Sequence, residues 1–156
     1  MKPYTVSIDI NKPRAEVVEL FDSPENIFYW QPGLQSFEHI SGEPGQVGAR
    51  SLLVYQNGKM RIELIETITK VDLPDEFNGT YEWNKSSNTL ENRFIDIDGH
   101  TTRWESTCAY NFGSLPEKLM GVLVPWVFRK QNMGFLKNFK AFCEQGWDVR
   151  VKGPVK

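Results

Sequence analysis

Residues 128–143 read FRKQNMGFLKNFKAFC, and this stretch decides the fold. Its apolar side chains recur at spacings of three, four and seven residues, which places them on one stripe of an α-helix. Burying about six of them stabilises the fold by roughly 1.5–3 kcal/mol each, before ordering entropy is subtracted. So wide a stripe needs a broad partner, and the chain offers the antiparallel strands predicted upstream. The stripe consists of Phe128, Phe135, Leu136, Phe139, Phe142 and Cys143.

The boundaries of this helix are set by the residues before and after it. Ser114 and Glu117 form a capping box, which predicts a short helix directly after them. Pro125 should break the helical segment, so that the long helix runs over about 126–145. Gly146 is expected to end it.

The first hundred residues are predicted to form antiparallel strands separated by turns. Residues 4–10 alternate apolar and polar side chains, the pattern of a strand buried on one face. Asn11 is expected to cap a first short helix, and Pro24 opens a second one. Further alternating runs follow, while the tail over 149–156 is expected to fray.

The first predicted hairpin turns at the Asn-Gly pair 57–58, which is the strongest short hairpin signal. A two-residue turn there sets Tyr55 opposite Met60. The same register sets Leu53 opposite Ile62. These side chains are expected to face the long helix.

The second hairpin turns at Asp98 and Gly99, where two registers compete. A two-residue turn would point Glu91 and Arg93 inward, which is costly unless they pair. A three-residue loop with Gly99 in the left-handed conformation buries apolar groups instead, and this register is preferred. It sets Leu90, Asn92 and Phe94 beside Trp104, Ser106, Cys108 and Tyr110.

Composition narrows the class of protein. The chain has 156 residues, a net charge of −2 and no block of like charge, so nothing indicates a nucleic-acid partner. Its length fits a single domain over residues 1–156, with a core over about 4–147. No apolar run approaches the roughly 20 residues of a membrane-spanning helix. The first ten residues alternate, unlike a signal peptide, so we expect a cytoplasmic protein without an integral membrane segment.

Neither a metal nor a cofactor is predicted. Cys108 and Cys143 lie far apart in the sequence and are interpreted as buried thiols. His39 and His100 lack metal-ligand spacing, and each is expected to be structural or exposed. The chain also lacks a phosphate-binding glycine loop and a dinucleotide fingerprint.

Short motifs follow one another in order: KPRAEV at 12–17, PEN at 24–26, WQPG at 30–33, glycines at 42 and 48, ETI at 66–68, VDLP at 71–74 and GHTTR at 99–103. Together with the order of elements, they resemble the START-like (SRPBCC, helix-grip) superfamily, and in particular its polyketide cyclase/dehydrase and lipid-transport family. The resemblance covers about residues 4–147. It implies an α+β fold, with a curved antiparallel β-sheet wrapped around a long C-terminal α-helix and two short helices after the first strand.

The resemblance also implies an apolar cavity between sheet and helix that receives a hydrophobic, lipid- or polyketide-like molecule. The family shares no single catalytic residue, so none is transferred. Apolar side chains with few polar groups among them are typical of such a pocket. The residues predicted to line it are Leu53, Tyr55, Met60, Ile62, Leu64, Glu66, Tyr81, Trp83, Asn92, Phe94, Trp104, Ser106, Phe128, Phe135 and Phe139.

Two alternatives to a ligand carrier stay open. A cyclase- or dehydratase-like enzyme would use Glu66 or Asn92 with a tyrosine hydroxyl. Near its strand end Glu66 can simply reach water, whereas enclosure would raise its pKa and suit it to acid–base chemistry. The third hypothesis is a protein-interaction module whose convex sheet face carries Leu52 and Val54, and a homodimer is possible.

Overall fold

The computed structural model describes residues 1–155. Its strands are β1 (Tyr4–Ile10), β2 (Leu34–Ser41), β3 (Arg50–Asn57), β4 (Met60–Asp72), β5 (Glu76–Trp83), β6 (Ser86–Asp96), β7 (Thr102–Asn111), β8 (Trp147–Asp148) and β9 (Gly153–Pro154). Its α-helices are α1 (Arg14–Phe21), α2 (Ile27–Trp30), α3 (Leu115–Leu123) and α4 (Pro125–Gln145), and a 3₁₀ turn, Pro24–Asn26, precedes α2.

Strands β1 to β7 form one antiparallel sheet in the order β1-β7-β6-β5-β4-β3-β2. The long helix α4 lies closest to β1, α2, α3 and β8. The predicted α+β helix-grip fold, with two short helices after the first strand, is confirmed. We call the sheet face toward α4 the inner face. Strand β1 is the strand of this sheet that α4 approaches most closely, and β3 to β5 are not among its near neighbours.

The predicted helix boundaries are also confirmed. The Ser114 hydroxyl accepts a hydrogen bond from the Glu117 backbone N–H at 3.3 Å and donates to the Glu117 carboxylate at 2.7 Å. The first bond is the N-cap half of the predicted capping box and begins α3, whereas the Glu117 carboxylate binds the Ser114 hydroxyl rather than the Ser114 backbone N–H. Pro125 separates α3 from α4 as its first residue, where a missing N–H costs no helical hydrogen bond. Gly146 ends α4 with a φ of 61°, in the left-handed region that glycine adopts without strain.

The predicted register of the first hairpin is wrong. The turn consists of Gly58 and Lys59, so Tyr55 lies opposite Ile62 rather than opposite Met60. Gly58, rather than Asn57, takes the first turn position. Its φ of 60° lies in the left-handed region, which glycine adopts more readily than asparagine. Partners move by two residues, so each side chain keeps its predicted face. The shift leaves Met60 next to the turn, opposite Asn57.

The preferred register of the second hairpin is confirmed. Phe94 pairs with Trp104, and Asn92 pairs with Ser106. Gly99 has a φ of 81° in the loop. Arg93 points away from the core, with its side chain near Glu76 at 3.4 Å. Burying rings rather than an unpaired guanidinium therefore decides the register, as expected.

Aromatic rings fill the space between α1, α2, α4 and the β6–β7 end of the inner face. Phe94, Trp104 and Phe139 are buried in this cluster, together with Trp30 and the partly buried Phe21. Phe21 lies 4.9 Å from Phe94 and 5.5 Å from Trp104 between ring centroids, with edge-to-face geometry in both pairs. Such pairs stabilise a core beyond their area burial. This end of the inner face is packed core.

Two smaller predictions are wrong. Asn11 does not cap α1; its amide donates to the Glu144 carboxylate at 3.3 Å instead, and Pro13 occupies the cap position. The tail is not frayed where the structure describes it, because β8 pairs with β9. Val149 N–H also donates to a carbonyl of α2 at 2.9 Å. Residue 156 lies outside the described residues.

The convex face does not offer the apolar pair proposed as an interaction surface. Val54 is only 5% exposed, and Leu52 is half-buried. A protein partner cannot reach Val54 without displacing what covers it, so the interaction hypothesis loses the residues on which it was based.

Candidate functional site

A row of polar side chains crosses the inner face from β3 to β7. Glu66 on β4 lies opposite Ser51 on β3 and opposite Tyr81 on β5. Tyr81 in turn lies opposite Asn88, and Asn88 lies opposite Tyr110. Each strand contributes one member at the same level because side chains alternate between faces with a period of two. We call this set the polar row; it consists of Ser51, Glu66, Tyr81, Asn88 and Tyr110.

Glu66 is the acidic member of the row. It lies in the middle of the sheet, between β3 and β5, and only 8% of it is exposed. Burial raises the pKa of the Glu66 carboxyl, and a hydrogen bond with Tyr81 partly offsets this rise. A carboxyl group in such surroundings exchanges a proton nearer to neutral pH than an exposed one. The sequence left open whether Glu66 reaches water or is enclosed, and the structure supports enclosure.

Two tyrosine hydroxyls accompany this carboxyl group. Burial, with the nearby charge of Glu66, raises the pKa of Tyr81 and also that of Tyr55. Both hydroxyls therefore stay protonated at neutral pH and can donate hydrogen bonds. The Tyr55 hydroxyl donates to the side-chain carbonyl of Gln31. Glu66 and Tyr81 thus form a carboxyl–hydroxyl pair, whereas the Tyr55 hydroxyl on the neighbouring strand is already engaged by Gln31.

The other end of the row is joined to the long helix through Asn132. Its amide N–H group lies 2.6 Å from the Tyr4 hydroxyl and 3.2 Å from the Tyr110 hydroxyl. The Cys108 sulfur lies 3.0 Å away as well. Burial raises the pKa of Cys108 to about 11, so this thiol stays protonated and is not a nucleophile at neutral pH. This cluster holds α4 against β1 and β7.

The family follows from the sequence comparison. Residues 1–144 match the family model described as polyketide cyclase / dehydrase and lipid transport. The chain belongs to this family. No curated protein matches the sequence.

Solved structures share the fold at low sequence identity. A conserved protein from Geobacillus kaustophilus is 15% identical with a TM-score of 0.77, over 94% of this chain and 97% of that one. An aromatase/cyclase from Streptomyces sp. R1128 is 12% identical with a TM-score of 0.74, over 99% of both chains. Norcoclaurine synthase from Thalictrum flavum is 12% identical with a TM-score of 0.71, over 92% of this chain and 94% of that one. These similarities show a common fold, and they transfer no activity.

Within this family fold, the residues predicted to line a cavity, apart from Glu66 and Asn92, separate into four groups. Phe94, Trp104, Ser106 and Phe139 are buried in the core. Leu53 is also buried, on β3. Half-buried positions are taken by Tyr55, Leu64, Tyr81 and Trp83 on the inner face, and by Phe128 and Phe135 on α4. Met60 is 62% exposed and Ile62 36% exposed at the hairpin end. The prediction that Met60 lines a cavity is therefore wrong, because the register shift places this side chain outside any enclosed space.

Asn92 holds the sheet together. Its side-chain oxygen accepts from the Trp104 indole N–H at 3.0 Å, and its amide N–H donates to the Phe77 carbonyl at 3.0 Å. Both ends of the amide are engaged in the packed core. Asn92 therefore has a structural role and is no longer a candidate for catalysis.

Trp83 is tied to α3 rather than free to meet a ligand. Its indole N–H donates to the Glu117 carboxylate at 2.9 Å. Ser86 donates to the same carboxylate. These hydrogen bonds, with the one from Ser114, lower the pKa of Glu117. The carboxylate therefore stays ionised and fixes α3 to the β5–β6 hairpin.

Sequence reasoning missed Ser51, Asn88 and Asn132 as members of the polar arrangement. One signal was available, since Asn132 follows Phe128 by four residues and so lies on the apolar stripe of α4. A polar side chain inside an otherwise apolar stripe usually has a buried partner. Ser51 and Asn88 gave no comparable signal, because their neighbours depend on strand pairing.

Two surface grooves lie away from the polar row. One has a volume of about 580 Å³ and is lined by Phe28, Gly33, Leu34, Gln35 and Arg150. The other has a volume of about 460 Å³ and is lined by Thr5, Val6, Ser7, Trp126, Arg129, Lys130 and Met133. Neither contains Glu66 or Tyr81. Among residues 1–155, no group of three histidine, cysteine or acidic side chains is placed to hold a metal ion, and no helix is long and apolar enough to span a bilayer.

Glu66 should make stability depend on pH. Its pKa in the folded state lies above the unfolded value of about 4.3, so the folded state binds the proton more tightly. Stability is therefore lost as pH rises from the unfolded to the folded pKa, and stays lost above it. Glu66→Gln removes this loss. The variant should gain free energy of unfolding over the wild type between pH 4 and pH 8, by about 1.4 kcal/mol for each pKa unit.

Urea unfolding across this pH range measures the effect. Glu63→Gln is the matched control, because Glu63 lies on the same strand with its side chain 55% exposed beside Arg61. Its difference from the wild type should change little with pH. If the free energy of unfolding of Glu66→Gln also differed from that of the wild type by a constant amount across this pH range, the burial of an ionisable carboxyl group would be contradicted.

Proposed function

We propose that the protein binds a hydrophobic, lipid- or polyketide-like small molecule against the inner face of β3 to β5. The observation that carries this proposal is the buried Glu66 carboxyl group opposite Tyr81, on strands that are not among the elements closest to α4. Half-buried apolar side chains beside the pair, such as Leu64, supply the apolar contact area. The carboxyl–hydroxyl pair would bind a carbonyl or hydroxyl group of the ligand.

Family membership supports the same class of ligand, since the family is described by polyketide cyclisation, dehydration and lipid transport. The other half of the inner face is filled by the aromatic cluster around Trp104 and Phe139. A ligand held over β3 to β5 would therefore rest against packed core on one side.

The buried carboxyl group also favours a second candidate, a cyclase-like reaction at the same site. The ionised Glu66 would take a proton from a carbon between two carbonyl groups, while Tyr81 donates a hydrogen bond to the resulting enolate oxygen. The carbon would then form a bond to a third, more distant carbonyl carbon of the same molecule, and the C=O π bond of that carbonyl would break to leave an alkoxide. The alkoxide produced would recover the proton from Glu66, which returns the carboxylate to its starting state.

Native mass spectrometry of protein purified from its host tests the binding proposal, and a co-purifying hydrophobic molecule is the expected result. In parallel, the neutral fluorescent probe N-phenyl-1-naphthylamine should bind and be displaced by that molecule. Glu66→Gln should retain the probe but weaken the polar ligand by about tenfold or more, the effect of losing a hydrogen bond to a charged group. Glu63→Gln should leave both affinities unchanged.

The outcomes separate the candidates. Absence of both a co-purifying molecule and probe binding would remove the ligand proposal. If a ligand is found and turned over, Glu66→Gln should abolish turnover. Unchanged turnover in this variant would exclude Glu66 as the acid–base group while leaving the binding site intact.

A further inference from the structure

The apolar stripe of helix α3 faces solvent. Leu115, Leu119, Val122, Leu123 and Trp126 recur at helical spacing across α3 and the first turn of α4. Each of them is between 55% and 79% exposed. A helical stripe of this kind is ordinarily buried against the protein, and a contiguous exposed one marks an interaction surface. We call these five residues the α3 patch.

The opposite side of α3 is fixed to the domain, so the patch is held outward. Gly121 lies so near Phe112 that a Cβ at this position would come within 2.6 Å of its ring. Glu117, on the same helix, binds Trp83 and Ser86 on the β5–β6 hairpin. A rotation that buried the patch would break these contacts. The exposure of the patch is therefore built into the packing of α3.

The charges around the patch have one sign. Lys118, Arg129 and Lys130 are exposed beside it, and none of the three forms an ion pair within residues 1–155. Glu117 is the acidic residue of 115–131, and its ionised carboxylate is turned away from the patch, where it accepts hydrogen bonds from Trp83, Ser86 and Ser114. The result is an apolar surface with a positive rim.

A groove continues from the patch along the edge strand β1. It has a volume of about 460 Å³ and places Arg129 and Lys130 beside Trp126, with the Thr5 and Ser7 residues on its far wall. The Arg129 guanidinium lies 5.1 Å from the centre of the Tyr4 ring, which steadies this side chain. Basic groups, hydroxyls and an exposed indole suit the headgroup layer of a membrane.

We propose that α3 and the start of α4 dock the protein on a bilayer surface that contains anionic phospholipid. The α3 patch enters the boundary between headgroups and acyl chains, as amphipathic helices do. Arg129 and Lys130 lie in the headgroup layer and bind lipid phosphate. A second copy of the chain is a poorer occupant, because a two-fold contact would bring two sets of Lys118, Arg129 and Lys130 together. This proposal does not depend on the ligand site at Glu66.

Co-sedimentation with vesicles tests the proposal, using phosphatidylcholine alone or with about a third phosphatidylglycerol. The wild type should sediment with the mixed vesicles at low salt and less so at high salt. Val122→Glu should reduce this binding by about tenfold or more, since it places a charge in the apolar boundary. Arg129→Gln with Lys130→Gln should reduce it by about 25-fold, or about fivefold for each basic side chain.

Val47→Glu is the matched control, because Val47 is another exposed valine, 61% accessible against 74% for Val122, in the β2–β3 loop. It should sediment like the wild type. Binding that is absent, equal on both vesicle compositions, or unaffected by Val122→Glu would overturn the proposal. So would analytical ultracentrifugation showing a dimer that Val122→Glu converts to monomer while vesicles are not bound, since a second copy would then occupy the patch.

Discussion

Phe139→Ala is expected to lower the free energy of unfolding by about 3–5 kcal/mol, the cost of removing a large ring from a packed core. Phe139 is fully buried on α4. Its ring centroid lies 5.1 Å from Trp104, 5.2 Å from Trp30 and 5.9 Å from Phe21. These partners come from β7, α2 and α1, so they cannot all move inward to fill the space. The cavity term is therefore added almost in full to the lost transfer free energy.

Urea unfolding at neutral pH measures this effect, and Phe135→Ala is the matched control. Phe135 lies on the same stripe of α4, one turn earlier, and is half-buried. Truncating it should cost about 1–2 kcal/mol, because less of its surface is removed from water on folding. If Phe135→Ala lowered the free energy of unfolding more than Phe139→Ala, the packed core would lie under Phe135. The proposed ligand site would then have to lie elsewhere.

Asn132→Leu is expected to lower the free energy of unfolding by about 2–4 kcal/mol although the side chain keeps its size. The amide donates to the Tyr4 and Tyr110 hydroxyls inside the protein. Leucine leaves these hydroxyls without that partner, and an unsatisfied buried polar group costs about 1–3 kcal/mol. Leucine is the better helix former, so helix propensity works against the predicted direction and cannot produce it.

Asn138→Leu is the control for this second variant. Asn138 lies on the same helix and is half-buried, so its replacement should change stability by less than about 0.5 kcal/mol. Equal effects of the two substitutions would mean that the Asn132 cluster does not hold α4 to the sheet. A tyrosine absorbance difference in Asn132→Leu alone would report the altered surroundings of Tyr4 and Tyr110.

The two variants also separate the supporting core from the proposed site. Phe139 and Asn132 act at the β1–β7 side of the sheet, whereas Glu66 and Tyr81 lie on β4 and β5. The fold is shared with an aromatase/cyclase at 12% identity, so the family supplies the architecture and not the identity of reacting groups. The function proposed for this chain therefore rests on its own buried carboxyl group, and the pH dependence of the stability of Glu66→Gln tests whether that group is buried and ionisable.

Local signals in the sequence predicted much of the fold. Alternation gave the strands, the Ser114–Glu117 capping box gave the start of α3, and Pro125 gave the break before α4. These features depend on residues within a few positions of one another, so the sequence contains them completely. The register of the second hairpin also followed, because one choice would have buried Arg93. At the first hairpin both registers place the same side chains on the inner face, so burial could not distinguish them, and the turn position was misjudged by one residue.

The site was predicted less completely, because its members come from different strands. Glu66 and Tyr81 were expected to line it, but their pairing depends on the register of β4 with β5. Asn88 and Ser51 join the row only through strands that are distant in sequence. The apolar stripe of α4 could not show that Phe139 is packed into the core while Phe135 stays half-buried, because helical spacing is the same for both.

By itself, the sequence determined the order of the main elements, the boundaries of α3 and α4 and the faces of the hairpin strands, because these follow from local backbone geometry and the periods of helix and strand. Only the tertiary structure decided that Glu66 is enclosed, that Asn92 is engaged in the core and that the stripe of α3 points to solvent. Burial is a property of what covers a side chain. Here the covering groups come from parts of the chain far away in sequence, and their arrangement depends on the packing of the whole domain.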